Sequence, residues 1–194
     1  MRGITPPLCA LCGAPTLWPV DRCRECAGRR IAFSSARAAV AYTGPARALV
    51  SAWKEHGLRR AASLAAALVA ERVPAPAADV ITYIPPDPVR LLERGHHPAE
   101  RLAHELASRW SSQAVPLLAR VDARAGRRQA SLDRDERLRN IRGAFAPLGQ
   151  APATVVLVDD VYTTGATASE AASALRRAGA ETITVITLVR TTRL

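Results

Sequence analysis

The chain has 194 residues, enough for one ordinary domain with a small appendage and for a real hydrophobic core. Hydrophobic residues make up 48% of it but aromatic ones only 4%, so the core must be built from Ala, Val, Leu and Ile. No run of about 20 apolar residues occurs, which excludes a membrane-spanning helix, and the start MRGITPPLC lacks the apolar segment of a secretory signal, so a cytoplasmic protein is expected.

The formal net charge of +10 favours polyanions: nucleic acid, phosphorylated metabolites or an acidic membrane surface. Nearly every positive charge is written as arginine. Lys54 is the single lysine, which marks it as a position where an ammonium could be needed.

In chain order, four cysteines come first: Cys9, Cys12, Cys23 and Cys26, two CxxC pairs separated by ten residues. Two such turns facing each other give four thiolates in a tetrahedron, which suits Zn2+. Gly13 lets the backbone reverse after Cys12, and Pro15 and Pro19 suit an irregular ribbon. A thioredoxin-like redox site needs one CxxC between a strand and a helix, and disulfides are disfavoured where thiols are kept reduced. A structural zinc is therefore expected, since four thiolates leave no coordination position open for chemistry. Arg22, Arg24, Arg29 and Arg30 would let the ribbon touch nucleic acid as well. The expected division is a zinc ribbon over 1–32 and a second domain over 33–194.

After the ribbon, ARAAVAY (Ala36–Tyr42) predicts a strand. GPARALVSAWKEHG then predicts a helix from near Pro45 to Gly57, with Leu49, Val50 and Trp53 at helical spacing. A second helix over Arg59–Arg72 is stopped by Pro74 and Pro76. DVITYIP (Asp79–Pro85) predicts a buried strand leading into a proline-containing loop. An amphipathic helix follows over Pro98–Trp110, with Leu102, Leu106 and Trp110 on one stripe. His96 and His97 read as solvated residues at its start, and His104 as structural. AVPLLARV is a further strand candidate. Residues Arg120–Arg142 carry eight arginines and four acids with little apolar content, and read as a mobile or surface segment. TVVLV (Thr154–Val158) is a fully apolar strand, ASEAASALRRAGA a helix closed by Gly179, and TITVITLV (Thr182–Val189) a last β-branched strand. Strands alternating with helices, and apolar on both faces, predict a parallel α/β sheet with helices on both sides.

The apolar strand Thr154–Val158 ends in Asp159 and Asp160, followed by Val161, Tyr162, Thr163, Thr164, Gly165, Ala166 and Thr167. Ligands of parallel sheets collect at the carboxyl ends of strands. Gly165 permits close backbone approach, and the amides of Thr164–Thr167 at a helix start form an anion site suited to phosphate. The absence of GxxxxGK[ST] excludes a P-loop. Carboxylates accept hydrogen bonds from sugar hydroxyls, so the pattern implies a ribose on the aspartates and a 5′-phosphate on the loop.

VVLVDDVYTTGAT (Val155–Thr167) closely resembles the phosphoribosyl pyrophosphate (PRPP) signature of type I phosphoribosyltransferases. As a whole, the chain resembles the ComF family, in which a four-cysteine ribbon precedes that fold. The resemblance implies a type I phosphoribosyltransferase-like sheet and PRPP or a related ribose 5-phosphate, with Mg2+, on Asp159–Thr167. AWKEHG looks like the family's lysine-glycine turn and gives Lys54 a role beside the pyrophosphate. IPPDPVRLLERGHHPAERLA matches the pyrophosphate loop, including Arg90 and Arg94. RRQASLDRDERLRNIRGAF looks like the family's flexible arginine-rich loop, with Arg127, Arg128 and Asn140 in a clamp over the site. The family usually continues Arg-Gly-Phe-Asn-Gln where this chain has Arg94-Gly95-His96-His97-Pro98. If the protein is an enzyme, the implied reaction is phosphoribosyl transfer, with Asp159, Asp160, Lys54 and Arg94 at the reacting centre. The alternative implied by the family is a nonenzymatic protein of DNA uptake or DNA metabolism, with single-stranded DNA and uptake-machinery proteins as partners.

Overall fold

The computed structural model describes residues 1–56, 59–121 and 141–192. Four parallel strands form the central sheet: β1 (Ser35–Ala41), β2 (Val80–Tyr83), β5 (Thr154–Tyr162) and β6 (Thr182–Arg190), in the order β1-β6-β5-β2. Two short strands, β3 (Leu118–Arg120) and β4 (Phe145–Pro147), pair antiparallel beside it. The helices are α1 (Gly44–His56), α2 (Arg59–Arg72), α3 (Pro88–Arg94), α4 (Pro98–Arg109) and α5 (Ala166–Arg177).

Successive side chains of a strand point to opposite faces, and β5 is apolar at every central position. Val155 and Leu157 accordingly enter one core, with α5, the β3–β4 pair and the ribbon. Val156 and Val158 enter the other, with α1, α2 and α4. Leu102 and Leu106 of α4 are fully buried there, each contributing about 1.5–3 kcal/mol of burial. Trp110, expected on the same stripe, lies past the helix end and is half-buried.

The sheet's two outer strands are both accompanied by non-strand backbone. Along β1, Gly3 forms an antiparallel bridge with Val40, and the Ala41 N–H donates to the Arg2 carbonyl (3.0 Å). Along β2, the Ile81 N–H donates to Gln113 and the Val115 N–H donates to Ile81, both at 2.9 Å.

Three details differ from the sequence expectation. The strand expected to stop at Val158 runs on to Tyr162, because β6 continues beside it in register, Asp159 against Thr187 and Tyr162 against Arg190. The strand candidate AVPLLARV is ordered as strand only over Leu118–Arg120. The pyrophosphate-loop segment contains a short helix, α3, whose N-terminus is capped by Asp87 accepting from the Val89 and Arg90 N–H groups (3.1 and 3.4 Å). Most of the arginine-rich segment lies outside the described residues.

Candidate functional site

All four sheet strands are parallel, so the segments following β1, β2 and β5 leave from one edge. They enclose a cleft of about 740 Å³, within the usual range for small-molecule sites. Asp159, Asp160 and Val161 form its floor, and Thr163 and Thr167 line it from the loop before α5. Lys54 reaches in from the last turn of α1, and Arg90 and Arg94 from α3. Arg120, at the end of β3, adds a fourth cation that sequence reasoning did not single out. Its signal was present in the sequence only as the first arginine of the charged segment.

A small lobe of about 20 Å³ opens beside the cleft, lined by Tyr162, Thr163, Gly165, Ala166 and Thr167. Thr187, from the neighbouring strand, completes it. Gly165 precedes α5 in the left-handed conformation (φ 72°), the region that glycine enters without steric cost. The Thr164 hydroxyl accepts from the Ala166 N–H (3.3 Å), which shapes the turn into the helix. The N-terminus of α5 therefore faces the lobe, and the first-turn amides that follow Ala166 suit an anion.

Lys54 Nζ sits 2.7 Å from Asp160 Oδ2. The Asp160 N–H donates to Asp159 Oδ1 (2.8 Å). Burial pushes the Asp159 carboxyl well above the usual carboxylate range, and the adjacent Asp160 charge pushes the same way. The Asp160 N–H and the Lys54 ammonium oppose this without cancelling it. Two aspartates side by side thus have different environments: one is ion-paired, the other resists ionisation.

His96 and His97 are buried, 7% and 8% exposed, which corrects their expected place in solvent. His96 reaches two carbonyl oxygens, Trp53 O through Nε2 (2.7 Å) and Arg94 O through Nδ1 (2.9 Å), and so ties α1 to the end of α3. His97 precedes α4, packs edge-on against the Tyr83 ring, and lies 3.4 Å from Glu100. Burial holds the His97 pKa below the ordinary histidine value, against the pull of Glu100. His104 is exposed. Arg127, Arg128 and Asn140, expected in the clamp, lie outside the described residues.

The ribbon brings all four sulfurs within 4.8 Å of one another. Cys12–Cys23, Cys23–Cys26 and Cys9–Cys26 are 3.5, 3.9 and 4.0 Å apart. A tetrahedron with Zn–S bonds of about 2.3 Å has S–S edges of about 3.8 Å, so the residues fit zinc. The Cys23 N–H donates to Cys9 Sγ (3.3 Å), as amides do around thiolate metal sites. Burial alone would raise Cys9, but backbone donors at Cys12, Cys23 and Leu11 hold it down at about 7. Cys12 is pushed up to about 11 by burial, against the nearby Arg190, and burial drives Cys26 above the ordinary thiol range. Sequence reasoning had no signal for Arg190, which reads as the end of a strand.

A second concavity, about 530 Å³, lies between the ribbon and α5. Arg22, Arg29, Arg30 and Arg142 line it, with Glu170 as the one acid among its lining residues. Two of the ribbon arginines are held in place by backbone carbonyls: Arg22 donates to Arg29 O (3.1 Å), and Arg29 to Glu25 O (3.3 Å).

Fold and site together define a parallel α/β protein with a Thr163–Thr167 loop and an aspartate pair at the sheet's carboxyl edge and a four-cysteine ribbon at its N-terminal side. No protein-family model matches the chain. Among curated proteins, it is 34% identical to the DNA utilization protein YhgH of Salmonella typhi, over 95% of this chain and 84% of that one. It is 27% identical to competence protein F of Haemophilus influenzae, over 95% of this chain and 85% of that one. It is 33% identical to competence protein ComFC of Streptococcus pneumoniae over 55% of this chain and 46% of that protein. Among solved structures, the adenine phosphoribosyltransferase of Thermoanaerobacter pseudethanolicus is similar over 70% of this chain and 83% of its own, with 15% identity and a TM-score of 0.41. The chain belongs to the ComF family, which groups these competence and DNA-utilization proteins. Among the described residues, no helix is long and apolar enough to cross a membrane.

Proposed function

We propose that the cleft binds PRPP or a related ribose 5-phosphate together with Mg2+. The observation that carries this reading is the convergence of three separate segments on one cleft: Lys54 on Asp160 at 2.7 Å, Arg90 and Arg94 facing them, and the Thr163–Thr167 loop at the same edge. The loop and the α5 N-terminus take the 5′-phosphate in the small lobe. Asp159 and Asp160 accept from the ribose hydroxyls. Lys54, Arg90, Arg94 and Arg120 surround the remaining volume with positive charge, where a pyrophosphate would sit. The carboxylate oxygens are hard donors that suit Mg2+, which would supply charge neutralisation at the pyrophosphate. Lys54 pairs with Asp160 at the cleft floor, and a pyrophosphate there would compete for the same ammonium.

If the protein transfers the phosphoribosyl group, bond breaking at C1 places positive charge on the ribose ring and negative charge on the leaving pyrophosphate. The aspartates face the first and the cations the second, which is the electrostatic arrangement that lowers such a barrier. Calorimetry with PRPP and Mg2+ tests the binding step. Asp160→Asn removes a charged acceptor and should weaken affinity about tenfold or more; equal affinity in both proteins would place the ligand elsewhere. Release of pyrophosphate in the presence of candidate bases and amines tests the transfer step.

A second reading, action on DNA as a cytoplasmic accessory of uptake or DNA metabolism, is supported by a different observation: the arginine-lined concavity between ribbon and α5. The names of the relatives, which speak of competence and DNA utilization, favour the same context. The two readings use separate surfaces and are compatible in one molecule.

A further inference from the structure

Arg190 ends β6 and is 1% exposed. A guanidinium so thoroughly removed from water needs fixed partners. Its terminal nitrogens donate to the Cys12 carbonyl, to Glu25 Oε2 (2.8 Å) and toward Cys12 Sγ (3.6 Å). Every one of these anchors belongs to a metal-ligating cysteine or to the turn between two of them. The guanidinium carbon lies over the Tyr162 ring, 4.7 Å from its centre.

Tyr162 leads directly into the phosphate lobe. Its ring is buried, packs against Phe33 at a steep angle (76°), and fills the space beside Gly165. A Cβ on Gly165 would lie 2.6 Å from the ring carbon Cζ. The residue after Arg190 is tied to the same strand end: the Thr191 N–H donates to Tyr162 O (2.9 Å), and its hydroxyl to Thr163 O (3.2 Å). A continuous packed path therefore runs from Cys12 through Arg190 and Tyr162 to Gly165.

We propose that Arg190 is a positioning residue through which zinc in the ribbon holds the phosphate loop in its binding conformation. Four thiolates around a divalent ion carry a net charge of −2, which draws the guanidinium toward Cys12 and fixes the roof over Tyr162. Without the ion, Cys12 and Glu25 are no longer held to one geometry. The guanidinium then leaves its seat, and Tyr162 is free to move off Gly165. Thermodynamic linkage makes the effect reciprocal: an anion bound in the lobe tightens zinc by the factor by which zinc tightens the anion. The ligand part of this inference rests on the proposed ribose-phosphate site; the coupling of metal to loop does not.

Amide hydrogen exchange on the zinc-loaded and chelated protein tests the coupling without any ligand. Chelation should accelerate exchange at least fivefold in the peptide spanning Tyr162–Ala168 and leave Leu102–Ala107 of α4 unchanged. In Arg190→Gln, and in Arg190→Lys should that protein be poorly folded, the loop should already exchange fast and respond little to chelation, while zinc stoichiometry stays at one. An unchanged loop in chelated wild type, or equal acceleration in α4, would overturn the proposal. Titration of ribose 5-phosphate against both forms then addresses the ligand. At least fivefold weaker binding to the chelated form is expected, and equal binding would overturn the linkage. If zinc-loaded protein binds none while the exchange result holds, the ribose-phosphate reading fails and the metal–loop coupling stands.

Discussion

Gly165 and Gly95 make a matched pair of perturbations. Both have φ near +70°, 72° and 67°. An L side chain in that region costs about 1–2 kcal/mol. At Gly95 nothing lies within 4 Å of an added Cβ, so Gly95→Ala should cost only that backbone term. At Gly165 the methyl would meet the Tyr162 ring, 2.6 Å from Cζ. The ring cannot swing away cheaply, because it is 4% exposed and held between Arg190 and Phe33. Forcing a methyl into such a packed place adds about 1–3 kcal/mol. Gly165→Ala should therefore lose about 2–5 kcal/mol in all, the sum of the two terms. For a chain of this size each kcal/mol moves Tm by about 2–4 °C. Urea and thermal unfolding of the two variants measure the gap. Adding Tyr162→Leu to Gly165→Ala should recover most of the clash and none of the backbone strain. If the two glycine variants were equally destabilised, the argument that Tyr162 is fixed against the loop would be wrong.

Asp159→Asn should stabilise the protein at pH 7.5 and not at pH 4. The folded state raises the Asp159 pKa, so the stability it contributes is present below the unfolded value of about 3.9 and is lost as pH rises through the folded one; a stability difference independent of pH would refute the assignment. Zinc should bind at one per chain and weaken on acidification, because at least Cys12, at about 11, and Cys26, raised further, must each give up a proton before its sulfur can ligate. Two protons correspond to about a hundredfold loss of affinity per pH unit, measurable by chelator competition between pH 6.5 and 7.5, and an affinity flat across that range would count against thiolate ligation by these two. Single-stranded DNA should bind weakly, with affinity falling steeply with salt: four arginines each meeting one phosphate give a log–log slope of about −2.8. Arg29→Ala with Arg30→Ala should reduce that slope by about half in an anisotropy titration, and tight binding that survives high salt would show that more than charge is involved.

The sheet and its helices were legible because their signals are periodic and local. TVVLV and TITVITLV are β-branched and apolar on both faces, and α4 carries its stripe at Leu102 and Leu106. The cysteine cluster and the Asp159–Thr167 loop were legible for another reason: their spacing carries chemistry that few other arrangements need. What the sequence hid was set by partners distant in the chain. β5 extends through both aspartates because β6 runs beside it. His96 and His97 look polar and exposed in a string of letters, yet the Trp53 carbonyl, 43 positions away, gives His96 a buried seat. Arg190 reads as the polar end of a strand until the ribbon folds back onto it across 178 positions. Arg120 and Thr187 enter the site by the same kind of long-range convergence.

The backbone accompanying the two outer strands has a consequence for how the molecule behaves in concentrated solution. An uncovered strand edge is a template on which another chain can pair. Here β1 is guarded by Arg2 and Gly3 at its Val40–Ala41 end and by Leu11, in the first cysteine turn, at Ala36, and the guard over β2 is the short stretch from Gln113 to Val115. The Leu11 part of the β1 guard lies in the turn between Cys9 and Cys12. Trimming residues 1–5 would uncover the Val40–Ala41 end of that strand, and a ribbon that came apart would also free its Ala36 end, where the Ala36 N–H donates to Leu11 O (2.7 Å). Self-association by edge pairing, visible as a sedimentation coefficient that rises with concentration, would follow from a change that leaves the cleft untouched.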